Sequence, residues 1–441
     1  MKTICFLLFQ LVTIGLFSQN ITIPDANFKA YLVGNPAINI NGDTEIQLSE
    51  AVEYTGDIIC PNLNISSLIG IEEFINIEEL NCKNNNLTSL NLSQNTLLTA
   101  LTAQGNQISN LTLNTVNSQL WFIDVGVNQL TTFQPSNHPL LEILVIHSNQ
   151  LTVLDVSQNP FLENLRCDSN LLTTLNLDNN PLLYNLLCNN NQLTSLSLTQ
   201  NPALFNLDCY NNQITTLNVT QNPLLENLRC NNNPLSGLNV TQNNHLIKLI
   251  CSNNSLTSLN VSQNILLDEL HCGLNMITSL DLTQNTNLTK IVCNFNDLNF
   301  LNVKNTNNLN VTVFSAISNP NLPCIIVDDA AYSTANWTSI DIGTVFSETQ
   351  DGCTILSAED FKNNTDFNVY PNPSDTQFTI EYDGEIDSIQ LFNAFGQKII
   401  ETNNKTVQVE NITSGIYFLK VHSKERILTK KIIIKSLAYE N

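Results

Sequence analysis

Residues 222–242, "NPLLENLRCNNNPLSGLNVTQ", hold a cysteine at Cys230, and the same residue recurs 21 positions away on either side, at Cys209 and Cys251. Carried outward, that step gives Cys167, Cys188, Cys209, Cys230, Cys251, Cys272 and Cys293. Upstream the column continues through Cys60, Cys82, Ala103, Val125 and Ile146, with two steps of 22 residues, and downstream the fixed spacing predicts Phe314. Three residues after each column position from Cys82 to Cys293 stands an asparagine, from Asn85 and Asn106 to Asn275 and Asn296 without a gap. A period this short, repeated this often, predicts stacked coils in which each unit buries its apolar face only against its neighbours.

Within one unit, "LENLRCDSNLL" (162–172), leucines at strand spacing are followed by Asn and an apolar residue. This resembles the leucine-rich-repeat signature. The other half-unit, "LTTLNLDNN", carries its own asparagines at Asn159, Asn180, Asn201, Asn222, Asn243, Asn264 and Asn285. The resemblance implies a leucine-rich-repeat solenoid of parallel β coils with a 21-residue repeat over residues 59–315.

The cysteine column reads as core. One structural position that accepts Cys, Ala, Val, Ile and Phe is an apolar packing site, because a metal ligand is not replaced by Ile or Phe. Bridges between neighbouring rungs compete poorly, since in-register strands sit about 4.8 Å apart while a disulfide draws its Cβ atoms to about 3.8 Å. The asparagines read as structural amides that satisfy the turn backbone of their own and the adjacent coil.

The ends differ from the middle. Residues 1–19, "MKTICFLLFQLVTIGLFSQ", have Lys2, an apolar run and small residues near Ser18, the anatomy of a secretory signal peptide. Residues 20–58 are predicted to form a helical cap, with Asp25 capping a helix that carries Phe28, Tyr31 and Leu32 on one face, and a second short helix at 49–54. Between them "NINGDTEIQLSE" (39–50) resembles the EF-hand calcium loop. That likeness implies Asn39, Asn41 and Asp43 as the first ligands, Glu45 through its carbonyl, Gln47 through water and Glu50 closing the site. Asn in place of the first Asp, and Thr44 in place of the turn glycine, leave two readings open: a Ca²⁺ site, or a metal-free loop that keeps the shape. No cofactor is required by either. Residues 316–365 are a C-terminal cap and linker, in which Cys324 and Cys353 lie outside the column and predict a disulfide in an exported protein.

From residue 366 to 441 the 21-residue period vanishes, lysines concentrate and alternating strands appear, predicting a small antiparallel β-sandwich with Gly396 and Gly415 at turns. "YPNP" (370–373), "NAFGQKI" (393–399), "SGIYFLKV" (414–421) and "KKIIIK" (430–435) resemble the C-terminal sorting domain of the type IX secretion system. The whole is similar to surface leucine-rich-repeat proteins of Gram-negative bacteria. The resemblance implies handling by the type IX machinery, passage across the outer membrane, and release or attachment to surface lipopolysaccharide.

Function is constrained more by exclusion. With 13% charged residues and a net charge of −22, the surface repels nucleic acid and anionic lipid, so neither is a partner. There is no GxSxG, HExxH, phosphate loop or recurring carboxylate pair, and the five histidines are scattered, so the chain is read as a non-enzyme. Among the repeats, the residues one and three before the column vary from coil to coil and share the outward face of the strands. Phe122, Ile143, Val145, Arg166, Asp208, Tyr210 and Arg229 are therefore the candidate ligand-binding face, for a protein or a glycan, with Arg166 and Arg229 expected to flank Asp208 and select an anionic group. The rival readings are a surface-coat solenoid that binds nothing tightly, and a hydrolase acting on polymers.

Overall fold

In each unit the alternation of outward and inward residues lasts only a few positions before the chain must turn. The result is one short strand per coil: Asn164–Arg166, Asn185–Leu187, Asn206–Asp208, Asn227–Arg229. The computed structural model describes residues 19–116, 118–350, 353, 367–393, 396–423 and 426–435. All of the expected signal peptide except Gln19 lies outside them.

Thirteen strands, from Ile58–Ile59 to Val313–Ser315, form one parallel sheet in which each coil pairs in register with the next. Asn206, Leu207 and Asp208 face Asn227, Leu228 and Arg229, for example. Leu228 and Cys230 point inward and are fully buried, as are Leu225, Leu235 and Val240 from the rest of the same coil. Two residues after the column the backbone takes a left-handed turn, with φ of 53° at Asn211, 56° at Asn232 and 54° at Asn253. Asn tolerates that conformation better than other side chains, which accounts for the "NNN" that follows Cys230.

The next asparagine closes the turn. Asn191 Nδ2 donates to the carbonyls of Cys167 and Cys188, both at 3.1 Å, and its Oδ1 accepts from Leu172 N at 3.0 Å. The ladder continues one coil further than the fixed spacing predicts. Asn319 Nδ2 donates to Cys293 O at 3.1 Å and Ala316 O at 2.8 Å. The column residue after Cys293 is therefore Ala316 and not Phe314. Phe314 pairs with Ile291 in the leucine column, because this coil is two residues longer and includes a 3₁₀ turn at Asn308–Asn310. There Phe314 stacks on Trp337, ring centroids 4.2 Å apart, beneath the helix Ala330–Asn336.

At the other end the helix Ala26–Val33 starts as expected. Asp25 Oδ1 accepts from the N–H groups of Asn27 and Phe28 at 3.0 Å, while Oδ2 takes Ser66 N at 2.8 Å and Ser66 Oγ at 2.7 Å. One carboxylate thus caps the helix and ties it to the first coil. Phe28 and Leu32 are buried under it, and the Tyr31 hydroxyl accepts from Ile59 N at 2.9 Å.

The chain divides into two compact units, residues up to 322 with 327–341, and residues 323–326 with those from 342 onward. In the second unit Cys324 and Cys353 form the expected disulfide, with Cα atoms 5.2 Å apart. The unit also contains a three-stranded antiparallel sheet (Asn368–Tyr370, Gln377–Glu381, Thr406–Gln408) and a four-stranded one led by Gly415–Ser423 and Arg426–Ile434. They enclose Phe378, Ile389, Leu391, Leu419, Val421 and Leu428. Gly396 sits in a turn with φ 79°, but Gly415 opens a strand, contrary to expectation. The motifs singled out in the sequence meet here. Asn372 of "YPNP" donates to Lys431 O at 2.9 Å and accepts from Ile433 N at 2.8 Å, stapling itself to "KKIIIK".

Candidate recognition face

The outward side chains of the parallel sheet form two rows fixed by strand register. Phe122 faces Ile143, and Asp124, Val145 and Arg166 follow one another in the second row. Leu187 comes next, then Asp208 and Arg229. Most of these residues are half-buried by their neighbours a coil away, and Asp208 is only 7% exposed.

The charges on this face are largely matched. Arg229 Nη1 donates to Asp208 Oδ2 at 3.0 Å, and its guanidinium stacks on the Tyr210 ring at 4.6 Å. Tyr210, one residue past the column, thereby joins the face through Arg229. Arg166 does not flank Asp208. Leu187 lies between them, and Arg166 Nε instead binds Asp168 Oδ1 of its own coil at 3.0 Å. Each arginine therefore meets a carboxylate of this chain, which leaves less positive charge for an anion than the sequence suggests. Burial raises the Asp208 carboxyl above its usual range despite the opposing charge of Arg229.

Further along, Glu269 gathers Lys248 at 2.9 Å, His271 at 3.1 Å and Lys290 at 3.5 Å. Burial works against ionisation of Glu269, but the Lys248 hydrogen bond and the surrounding cations outweigh it and hold the carboxyl below its usual range. Near the other arginine, His147 lies 3.3 Å from Gln104 Nε2, and burial, aided by Arg166, lowers its pKa. Spacing alone did not bring either cluster out, because single polar residues at varied positions carry no period.

A third row was also missed. One residue ahead of each strand stand Trp121, Glu142, Glu163, Tyr184, Phe205 and Glu226. Strand alternation would send them inward. The residue before each, such as Leu141, Leu162 or Leu183, is already buried, and the chain bends at that corner. Trp121, Tyr184 and Phe205 are consequently about two-fifths exposed (41%, 42% and 40%), beside Leu140, Phe161 and Leu182.

The EF-hand-like loop brings its expected residues together but engages their oxygens internally. Glu50 Oε1 accepts from Ile40 N and Asn41 N at 2.9 and 3.2 Å, and Oε2 from Gln47 N at 2.9 Å. Asn39 Oδ1 accepts from Gly42 N at 3.1 Å, and Asp43 accepts from Glu45 N at 2.7 Å, Asn41 Nδ2 at 3.1 Å and Gln47 Nε2 at 3.0 Å. Glu45 is turned to Lys29, at 2.6 Å. Ile46 is fully buried. Two of the expected ligands, Asp43 and Glu50, are side-chain carboxylates, and both accept N–H groups from within the loop.

Comparison with known proteins agrees with this architecture. Residues 368–435 match the family described as the secretion system C-terminal sorting domain. No protein with a curated description matches the chain. Among solved structures, the functional domain of InlJ from Listeria monocytogenes, described as including a cysteine ladder, superposes with a TM-score of 0.61 at 23% identity, covering 95% of this chain and 99% of its own. The plant peptide hormone receptor RGFR1, solved in complex with RGF2, gives a TM-score of 0.50 at 18% identity, covering 58% of this chain and 49% of the receptor. At these identities the likeness is one of fold. The chain is a leucine-rich-repeat protein with a type IX secretion sorting domain at its C-terminal end, exported by that route to the cell surface or released.

Proposed function

We propose that the protein is a recognition or adhesion module that binds a protein or a glycan through the outward face of its parallel sheet. The observation that carries this reading is the contrast within one repeat. Inward positions stay apolar from coil to coil, while Phe122, Ile143, Val145, Arg166, Asp208 and Arg229 differ in charge and size along two rows at a fixed pitch. Tyr210 and Arg229 support it, being residue types that anchor interfaces and here held in place by Asp208. After sorting, the protein would be released or attached to surface lipopolysaccharide.

A protein pull-down and a glycan array with the purified protein test the reading. The double variant Arg166→Ala, Arg229→Ala is expected to stay folded, with a lowered melting temperature because Asp208 loses its partner, and to lose at least tenfold in affinity for whatever is captured. Undiminished binding by that variant sinks this face as the site. An empty array and pull-down favour the surface-coat reading, and turnover of a polymer abolished by one substitution would favour a hydrolase.

We infer further that loop 39–50 is a brace that works without a cation. Glu50→Ala should cost about 2–4 kcal/mol, because three backbone N–H groups lose a charged acceptor, and the cost should be the same with or without millimolar Ca²⁺. A melting temperature that rises with Ca²⁺, and stops doing so in Asp43→Ala, would restore the calcium site.

A further inference from the structure

The row ahead of the strands goes beyond the face just described and points to a different ligand chemistry. We propose that this edge of the solenoid binds an extended cationic polypeptide segment, one that interleaves Arg or Lys with apolar side chains. Successive residues of the row are locked together through the backbone. Glu142 N donates to Trp121 O and Glu163 N to Glu142 O at 2.9 Å, Tyr184 N to Glu163 O at 2.9 Å, and Phe205 N to Tyr184 O at 2.8 Å. Rings and carboxylates are therefore set out at the coil pitch of about 4.8 Å.

Where the row begins, Gln119, Trp121, Leu140, Glu142 and Phe161 line an open cleft of about 510 Å³. Trp121 and Phe161 stand two coils apart, about 10 Å along the axis, with Leu140 between them and Glu142 alongside. That leaves room for one side chain between two aromatic walls. A guanidinium or ammonium there meets a carboxylate and ring faces together, which a neutral or anionic group does not.

Charge complementarity selects the occupant. Glu142, Glu163 and Glu226 have no ion-pair partner among the described residues, unlike Asp168, Asp208 and Glu269 on the sheet side, and the chain carries a net charge of −22. A second copy of the chain is repelled by that charge. A glycan needs donors as well as acceptors, and of these six row residues two side chains donate, the Trp121 indole N–H and the Tyr184 hydroxyl. The pattern suits a partner that donates, carries positive charge and buries apolar groups.

The test uses the purified protein and three probes: a labelled peptide of alternating Arg and Leu, its Glu–Leu counterpart, and chitohexaose. The Arg–Leu peptide should bind, with affinity falling as salt rises. Glu142→Lys, Glu163→Lys together, or Trp121→Ala alone, should weaken it at least tenfold with unchanged melting. The equal charge change Asp155→Lys, Asp178→Lys, away from the edge, should weaken it less than threefold. The sheet-face variant Arg166→Ala, Arg229→Ala should leave the affinity unchanged, so that failure of the two proposals can be told apart. The proposal is overturned by equal binding of the Glu–Leu peptide, by absent binding of the Arg–Leu peptide, by an equal loss in the Asp155, Asp178 control, or by chitohexaose binding that Trp121→Ala abolishes.

Discussion

Cys230→Asp is expected to break the solenoid near its middle, whereas Cys230→Ala should cost only about 1 kcal/mol for a small buried hydrophobe. The wild-type thiol is fully buried, and burial pushes its pKa up to about 12, so it neither ionises nor reacts at neutral pH. Its column accepts Ala103, Val125, Ile146 and Ala316 at other coils, all fully or almost fully buried, so loss of the sulfur leaves a small void and no orphaned polar group. A carboxylate at the same position has no cation within the core. An uncompensated buried charge costs about 3–5 kcal/mol, and in a solenoid the cost falls on one coil and its two neighbours.

Thiol labelling reads this directly. The nine free cysteines of the described residues are all buried, and none should label in the native wild-type protein. In Cys230→Asp, Cys209 and Cys251 should label first, while Cys60 and Cys82 at the far end stay protected. Native labelling of the wild type, or stoichiometric zinc in freshly purified protein, contradicts a packing role for the column.

The period, the Asn ladder, the helix cap at Asp25 and the Cys324–Cys353 bridge were legible because each is a local or repeated pattern. Phe314 was misplaced because a fixed step cannot register a coil that is two residues longer. On the recognition face, alternation identified the rows but not the partners. Arg166 could reach Asp168 two residues on or a carboxylate on another coil, and only side-chain placement shows that it takes Asp168. The edge row was hidden for a different reason. Trp121, Tyr184 and Phe205 occupy positions that strand alternation turns inward, and their exposure comes from a bend set by the buried leucine before each. Aromatics at one repeat position, where other units carry Glu142, Glu163 and Glu226, were the available signal.

Asn212→Ala should cost about 3–5 kcal/mol, more than a typical core truncation of its size, because the amide serves four partners in two coils, Tyr210 O at 3.3 Å among them. Nδ2 donates to Cys188 O and Cys209 O, both at 3.1 Å, and Oδ1 accepts from Leu193 N at 3.0 Å. All lie where water cannot replace the lost bonds, so each unsatisfied group costs about 1–3 kcal/mol. The second ladder is built differently. Asn201 Nδ2 donates to Leu177 O at 3.0 Å and Asn180 O at 2.9 Å, but its Oδ1 is buried without a partner. Asn201→Ala should therefore cost less, about 2–3 kcal/mol, since it strands two acceptors, spares every donor and removes an unsatisfied oxygen. Asp substitutions separate donor from acceptor loss. In Asn212→Asp an oxygen replaces the donor and faces three carbonyls, so the buried acid's pKa must rise. A carboxyl with a raised folded pKa destabilises above that pKa and recovers as the pH falls through it, since the protonated acid regains one donor. Relative to Asn212→Ala, the Asp variant should be less stable at pH 7 and should narrow the gap toward pH 5 in denaturant melts. Equal stability of the two variants at both pH values would mean that the amide's donor half does not hold the coils together.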